Sequence, residues 1–127
     1  MGIFDGLSEK QKEAVETIDE DLEIIACAGA GKTGVVTRRI VNILKQTKDI
    51  TPANIVAFTF TEKAAEELKS RIYKYAKKEL GSTVGFAEMY IGTIHGFCLK
   101  MLQEYIPQFQ SFFVLDEIKT KLFIDKN

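Results

Sequence analysis

The 127-residue sequence has no tryptophan, two prolines, two cysteines and one histidine. Cys27 and Cys98 show no metal-ligand spacing, so they argue against a disulfide framework or a cysteine-rich metal site and indicate free thiols. No segment approaches the ~20 apolar residues that a membrane-spanning helix needs. No charged-then-apolar N-terminal pattern indicates a secretion signal. These absences predict a soluble, cytoplasmic protein without membrane contact.

The sequence also lacks an excess of charge of either sign. Seventeen basic and eighteen acidic side chains give a formal net charge of −1, whereas an independent nucleic-acid-binding domain is usually more basic. Any contact with nucleic acid must therefore come from local placement of lysine and arginine, or from other parts of a larger protein. The length and the ordinary share of apolar residues, 46%, fit one globular domain.

Apolar patterns predict short strands that alternate with helices. Ser8 and Gln11 have capping-box spacing at the start of a first helix. Strands are predicted at 22–27, where the strand should be buried, at 55–60 and at 90–92. Further helices are predicted from about residue 32, over 62–79, over 93–105, and after the apolar run at 112–115. This alternation predicts an α/β fold with a parallel sheet and crossover helices. Because three strands are few for such a sheet, we expect the chain to be part of a larger domain.

The helix predicted at 62–79 should present one apolar and one charged face. Its inner stripe consists of Ala65, Leu68, Ile72 and Ala76. Glu67 precedes Arg71 by four residues, so we expect a supporting ion pair. The basic group of Lys69, Lys74, Lys77 and Lys78 is predicted to be a solvated face.

The strongest chemical motif is the glycine-rich segment that ends in Lys32 and Thr33. It matches the pattern of Gly, four residues and Gly-Lys-Ser/Thr, with Ala26 in the first glycine position, and it lies between a predicted strand and a predicted helix. Its backbone amides are predicted to wrap around phosphate groups at a helix N-terminus. The residues that carry this prediction are Ala28, Gly29, Ala30, Gly31, Lys32 and Thr33.

Lys32 and Thr33 are the candidate catalytic residues of this motif. Lys32 would neutralise the β- and γ-phosphates of a nucleotide, and the Thr33 hydroxyl would ligate Mg²⁺. The alternative is a glycine-rich turn that only caps a helix and leaves Lys32 solvated. Cys27 is predicted to be a small buried filler in the loop rather than a redox sensor.

Four ordered segments resemble the motifs of the UvrD/Rep group of superfamily 1 DNA helicases. Residues 7–15 are similar to the Q motif, 26–33 to the Walker A motif, 59–68 to motif Ia and 92–98 to motif Ib. The segments at 62–65 and 95–98 look somewhat nearer the RecB/AddA branch. The resemblance implies a P-loop NTPase of the RecA-like fold, of which residues 1–127 would form a partial N-terminal ATP-binding domain.

The resemblance also implies a motor that uses ATP and Mg²⁺ to move along single-stranded DNA and to separate duplexes. Gln11 would recognise the adenine, which its capping role need not exclude. Motifs Ia and Ib would contact the DNA strand through Thr59, Phe60, Thr61, Thr93 and His95. Phe60 would stack on a base, with core packing as the alternative. For His95 the alternative is a local bond at a helix N-terminus.

Two departures from the family pattern affect the nucleotide site. Gly34 stands where the family often has an arginine that stacks on adenine, so Arg38 or Arg39 would have to reach back. ATP hydrolysis also needs an acidic motif, and the apolar run before Asp116 and Glu117 resembles one. On that interpretation the chain would be a complete small P-loop kinase or NTPase.

In the rival interpretation Asp116 caps the last helix. The chain then stops before the acidic motif and hydrolyses little ATP by itself. A third possibility is a non-catalytic module that holds DNA or a partner protein.

In related P-loop folds the neighbour of the first strand comes from later in the chain. Its absence predicts self-association through an unpaired strand edge.

Overall fold

The computed structural model describes residues 2–115 and 117–126. The chain divides into two compact units, Met1–Thr93 and Ile94–Asn127. The described helices are α1 (Glu9–Glu16), α2 (Lys32–Gln46), α3 (Glu62–Glu79), α4 (Ile94–Tyr105) and α5 (Glu117–Lys126), and the described strands are β1 (Val56–Phe58) and β2 (Tyr90–Gly92). Short 3₁₀ turns lie at Pro52–Asn54, Phe86–Glu88 and Pro107–Phe109. None of the helices described has both the length and the apolar character of a membrane span.

The first unit contains a small parallel sheet. Val56 of β1 lies opposite Tyr90 of β2, and Phe58 lies opposite Gly92. α3 connects the two strands, as parallel strands require a crossover. The predicted mixture of helices and parallel strands is therefore confirmed for a two-stranded sheet.

The strand predicted at 22–27 is not formed in the part of the chain that the structure describes. In the sheet of the described residues β1 pairs with β2, and the segment at 22–27 adds to neither of the two free edges. The predicted burial is also wrong, because Leu22 and Ile24 are exposed and the Ile25 side chain is 89% exposed. Cys27, which was predicted to be a buried filler, is exposed as well. Apolar character alone does not make a strand, since burial and pairing depend on a partner elsewhere in the chain.

The helix starts follow local side-chain chemistry. The predicted capping box at α1 is formed: the Gln11 amide donates to the Ser8 hydroxyl at 3.3 Å, and the Ser8 amide donates to Gln11 Oε1 at 2.9 Å. At α3 the Thr61 hydroxyl accepts the Ala64 amide at 3.1 Å. Each contact satisfies an amide that the first helical turn leaves without a partner.

The core of the first unit lies between α2, α3 and the chain around β2. The predicted stripe of α3 is confirmed, since Ala65, Leu68, Ile72 and Ala76 are all buried. A smaller cluster of Ala14, Val15 and Val35 joins α1 to α2. A buried amide contact, from Asn42 Nδ2 to the Val15 carbonyl at 3.0 Å, also holds α2 against the end of α1.

The expected ion pair between Glu67 and Arg71 is absent. Among the described residues neither side chain forms an ion pair or a hydrogen bond. Such an exposed pair contributes only ~0.2–0.5 kcal/mol, so its absence costs α3 little. The four lysines predicted to form a solvated face, Lys69, Lys74, Lys77 and Lys78, are exposed.

In the second unit, α4 is followed by the turn at Pro107–Phe109. Gln103 Nε2 donates to the Phe112 carbonyl at 2.6 Å, and the rings of Phe109 and Phe112 meet edge to face at 4.9 Å. The apolar side chains at 112–115 are exposed. Asp116, on which the acidic-motif and helix-cap interpretations both depend, lies outside the described residues.

Candidate functional site

The glycine-rich loop turns sharply between the segment at 22–27 and α2. Gly29 and Gly31 have φ angles of +79° and +81°, in a region that a side chain makes unfavourable. The Ala30 amide closes the turn by donating to the Cys27 carbonyl at 3.1 Å. Gly31 is the N-cap of α2 and brings no capping side chain to the helix.

The first turn of α2 therefore presents uncapped backbone amides. Val35 is the first helical residue whose amide bonds a carbonyl, that of Gly31 at 3.1 Å. Within the described residues, the amides of Lys32, Thr33 and Gly34 have no acceptor. These N–H groups and the partial positive charge of the helix N-terminus together favour an anion such as phosphate.

The Lys32 side chain folds back over the loop. Its ammonium donates to the Ala26 carbonyl at 2.9 Å, six residues earlier in the chain. The positive charge thus lies on the loop rather than pointing away from it. The Thr33 hydroxyl is exposed and has no hydrogen-bond partner in the described part of the chain. Both groups remain accessible to a ligand at the start of α2.

Gln11 connects α1 to the loop, a contact that the sequence motif did not reveal. Its Nε2 donates to the Ala30 carbonyl at 3.1 Å, while its Oε1 accepts the Ser8 amide at 2.9 Å. A side-chain amide has two donors and two lone pairs, so one of each is left. Gln11 borders a cavity of ≈ 250 Å³ whose other lining includes Ile24, Ile25, Ala26, Ala30 and Lys32.

Neither arginine that was considered as a substitute at Gly34 reaches this cavity. Arg39 donates to the carbonyls of Ala14 and Thr17 at the end of α1. The Arg38 guanidinium donates to the Asp5 carbonyl at 2.8 Å and lies over the Tyr75 ring. The lining of the Gln11 cavity contains no arginine.

Phe60 lies in the turn between β1 and α3. Its side chain is fully exposed, at 102% of the reference value, so the alternative of core packing is wrong. The turn itself is held by its neighbours. The Thr59 amide donates to the Gly92 carbonyl, the Thr59 hydroxyl donates to the Thr61 carbonyl, and Thr61 caps α3. The threonines fix the backbone, and the aromatic ring faces solvent.

Thr93 and His95 belong to different units. Thr93 ends the first unit, where its hydroxyl donates to Glu62 Oε1 at 3.3 Å and its carbonyl accepts the Tyr90 hydroxyl at 2.9 Å. These contacts tie Thr93 to the start of α3. His95 is the second residue of α4 and is exposed. Its side chain forms no hydrogen bond among the described residues, so the expected alternative of a local bond is not observed for the imidazole.

The glycine-rich loop contains left-handed glycines and leads into a helix without a side-chain cap, and the Lys32 side chain folds over the loop. The chain is therefore an α/β protein with a loop that is suited to phosphate. The family model of the UvrD/REP helicase N-terminal domain matches residues 7–127. The chain belongs to this family.

Curated relatives agree with this assignment. The chain is 38% identical to an ATP-dependent DNA helicase PcrA of Bacillus subtilis over 117 residues. This alignment covers 90% of this chain and 15% of the relative. It is 34% identical over 125 residues to a probable DNA helicase II homolog of Mycoplasma capricolum, covering 96% of this chain and 16% of the relative. The chain thus spans about a sixth of the length of these relatives.

Proposed function

We propose that the chain is the nucleotide- and DNA-binding N-terminal part of an ATP-dependent DNA helicase, within a RecA-like P-loop domain. One observation carries the proposal: three kinds of group meet at one glycine-rich loop. They are the uncapped backbone amides of α2, the Lys32 ammonium and the side-chain amide of Gln11. Family membership and the names of the relatives support the same function. They do not favour the alternative of a complete small kinase that uses Asp116 and Glu117.

The site fits ATP with Mg²⁺. The amides of residues 32–34 and the Lys32 ammonium would hold the phosphates, as in other glycine-rich phosphate loops. The Thr33 hydroxyl would ligate Mg²⁺, which usually takes one or two protein ligands and completes its shell with phosphate oxygens and water. Bound Mg²⁺ would neutralise phosphate charge.

Gln11 is proposed to read the adenine base. Its remaining N–H and lone pair match the ring nitrogen and the exocyclic amino group on one edge of adenine. Guanine has an acceptor in place of that amino group, so the same pair of contacts is lost. Gln11 can keep its contacts to Ser8 and Ala30 in this arrangement. The contact to Ser8 uses one of the two lone pairs of Oε1, and the contact to Ala30 uses one of the two N–H groups of Nε2. Capping and base recognition are therefore compatible.

Replacing Gln11 by alanine should remove the preference for ATP over GTP. We expect the affinity for ATP to fall by roughly tenfold, as for the loss of one or two neutral hydrogen bonds. The affinity for GTP should change much less. The measurement is a titration of the chain with fluorescent analogues of ATP and GTP, and the ratio of the two dissociation constants is the readout.

Ser8→Ala is the matched control for this experiment. It weakens the same capping box and leaves the Gln11 amide in place, so it should preserve the ATP/GTP ratio. If Gln11→Ala lowered the affinities for ATP and GTP by the same factor, Gln11 would only position the loop through the Ala30 carbonyl. Equal ratios in the parent chain and in Gln11→Ala would contradict adenine recognition.

Self-association is proposed for the segment at 22–27. It is apolar and has no strand partner among the described residues, and the Ile25 side chain is 89% exposed. Unpaired apolar segments of this kind invite pairing with a second copy. We expect sedimentation velocity to show concentration-dependent dimers that Ile25→Lys reduces. Val84→Lys, at an 88% exposed site in another loop, should have no such effect. A monomer at all concentrations would count against the proposal.

A further inference from the structure

A second cavity lies between α2 and α3, and the function proposed above does not use it. Its volume is ≈ 290 Å³, and it is lined by Gly34, Thr37, Arg38, Arg71, Lys74 and Tyr75. Three of these six residues are cationic and none is acidic. The cavity therefore concentrates positive charge in a chain whose net charge is −1.

Arg38 is held in position on one wall of this cavity. Its guanidinium lies 5.2 Å from the centre of the Tyr75 ring, and its Nη1 donates to the Asp5 carbonyl at 2.8 Å. A guanidinium has five N–H donors, and the Asp5 carbonyl takes one of them. A cation that is already oriented loses less conformational entropy when it binds an anion.

Arg71 and Lys74 form the opposite wall on α3. They lie three residues apart on the helix, so their side chains are neighbours on one face. Within the described residues neither forms an ion pair or a hydrogen bond, and Glu67, the expected partner of Arg71, is also unpaired. Gly34 leaves the α2 side open, because no atom lies within 4 Å of a Cβ built there.

We propose that this cavity binds a compact phosphate group, such as pyrophosphate or the phosphates of a nucleoside phosphate. Arg38 and Arg71 supply planar donor pairs that match phosphate oxygens, and Lys74 adds a point charge. A single polynucleotide strand fits less well, because the cations converge from two helices on one cavity and do not form a line. The site adjoins the glycine-rich loop at Gly34, but its lining shares no residue with the cavity that Gln11 borders.

The test uses the full chain carrying Lys32→Ala, so that binding at the glycine-rich loop is weakened. Pyrophosphate and ADP are titrated separately while ¹H–¹⁵N spectra follow the amides of Thr37 and Tyr75 at the cavity and of Gly31 at the loop. We expect saturable shifts at Thr37 and Tyr75 with both ligands. Similar affinities would show that phosphate alone is recognised, and tighter binding of ADP would show that the nucleoside contributes.

The double variant Arg71→Gln and Lys74→Gln should weaken this binding by about tenfold or more, as expected for the loss of charge-assisted contacts. The matched control, Lys77→Gln with Lys78→Gln, removes the same charge from the same helix outside the cavity and should retain the affinity. Equal losses in the two double variants would overturn the proposal in favour of general charge attraction. Absence of saturation, or tighter binding of a single-stranded oligonucleotide through the same amides, would also overturn it. A negative result at this cavity would not affect the proposal that the glycine-rich loop binds a nucleotide.

Discussion

Lys32→Ala should lower the affinity of the chain for Mg²⁺-ATP by roughly tenfold to more than a hundredfold. The ammonium lies over the loop, 2.9 Å from the Ala26 carbonyl, and is the cation nearest to the uncapped amides of α2 along the chain. Hydrogen bonds to charged groups contribute ~1.5–3 kcal/mol each, and 1.4 kcal/mol corresponds to about a factor of ten in affinity. A lysine that contacts both the β- and γ-phosphates loses one or two such bonds on truncation.

The measurement is an NMR titration with a non-hydrolysable ATP analogue and Mg²⁺, in which the amides of Gly29 and Gly31 report binding. The loss should be much smaller for AMP, which lacks the phosphates that Lys32 would contact. Lys48→Ala removes an exposed positive charge outside the loop and should retain the affinity of the parent chain. Thermal unfolding should change little in Lys32→Ala, since the lost contact to the Ala26 carbonyl is solvent-exposed and alanine favours a helix. Unaltered ATP binding by this variant would refute a phosphate role for Lys32.

Elements set by neighbouring residues could be predicted from the sequence. The capping box at Ser8, the limits of α3 and the three residues of β2 agree with the structure, because each depends on side chains within a turn or two or on strong local patterning. The strand predicted at 22–27 failed for the opposite reason. A strand exists only through its pairing partner, and local apolar residues do not specify where that partner is.

The candidate site divides in the same way. The glycine-rich loop could be predicted, since left-handed glycines and a following helix are local features. The contacts of long side chains could not be predicted. Arg38 bonds a carbonyl 33 residues away, and Gln11 bonds one 19 residues away. Such partners follow from the packing of α1 and the segment before it against α2 and the glycine-rich loop, which no local pattern contains. The cation-lined cavity between α2 and α3 depends on the packing of α3 against α2 and has no sequence motif of its own.

Phe60→Ala should weaken the binding of single-stranded DNA by roughly fivefold to a hundredfold. Stacking of a base on an aromatic side chain contributes ~1–3 kcal/mol, which corresponds to about that range of affinity. The ring is fully exposed on a turn that Thr59 and Thr61 hold in place. Because these contacts already fix the backbone of the turn, little backbone entropy is lost when a base stacks on the ring.

Fluorescence anisotropy with a labelled oligothymidine at low salt measures this effect, because the affinity for nucleic acid falls as salt rises. Phe60→Tyr should retain binding, whereas Phe60→Leu should lose most of it, since leucine keeps an apolar surface without a π face. None of the three variants should shift the unfolding temperature, because the side chain contacts no core residue when it is 102% exposed. If Phe60→Leu bound DNA as tightly as the parent chain, stacking would be contradicted. If the variants also lowered the unfolding temperature, the ring would be shown to support the fold. Stacking alone predicts that aromatic character at residue 60 controls the affinity for DNA while the stability of the chain stays constant.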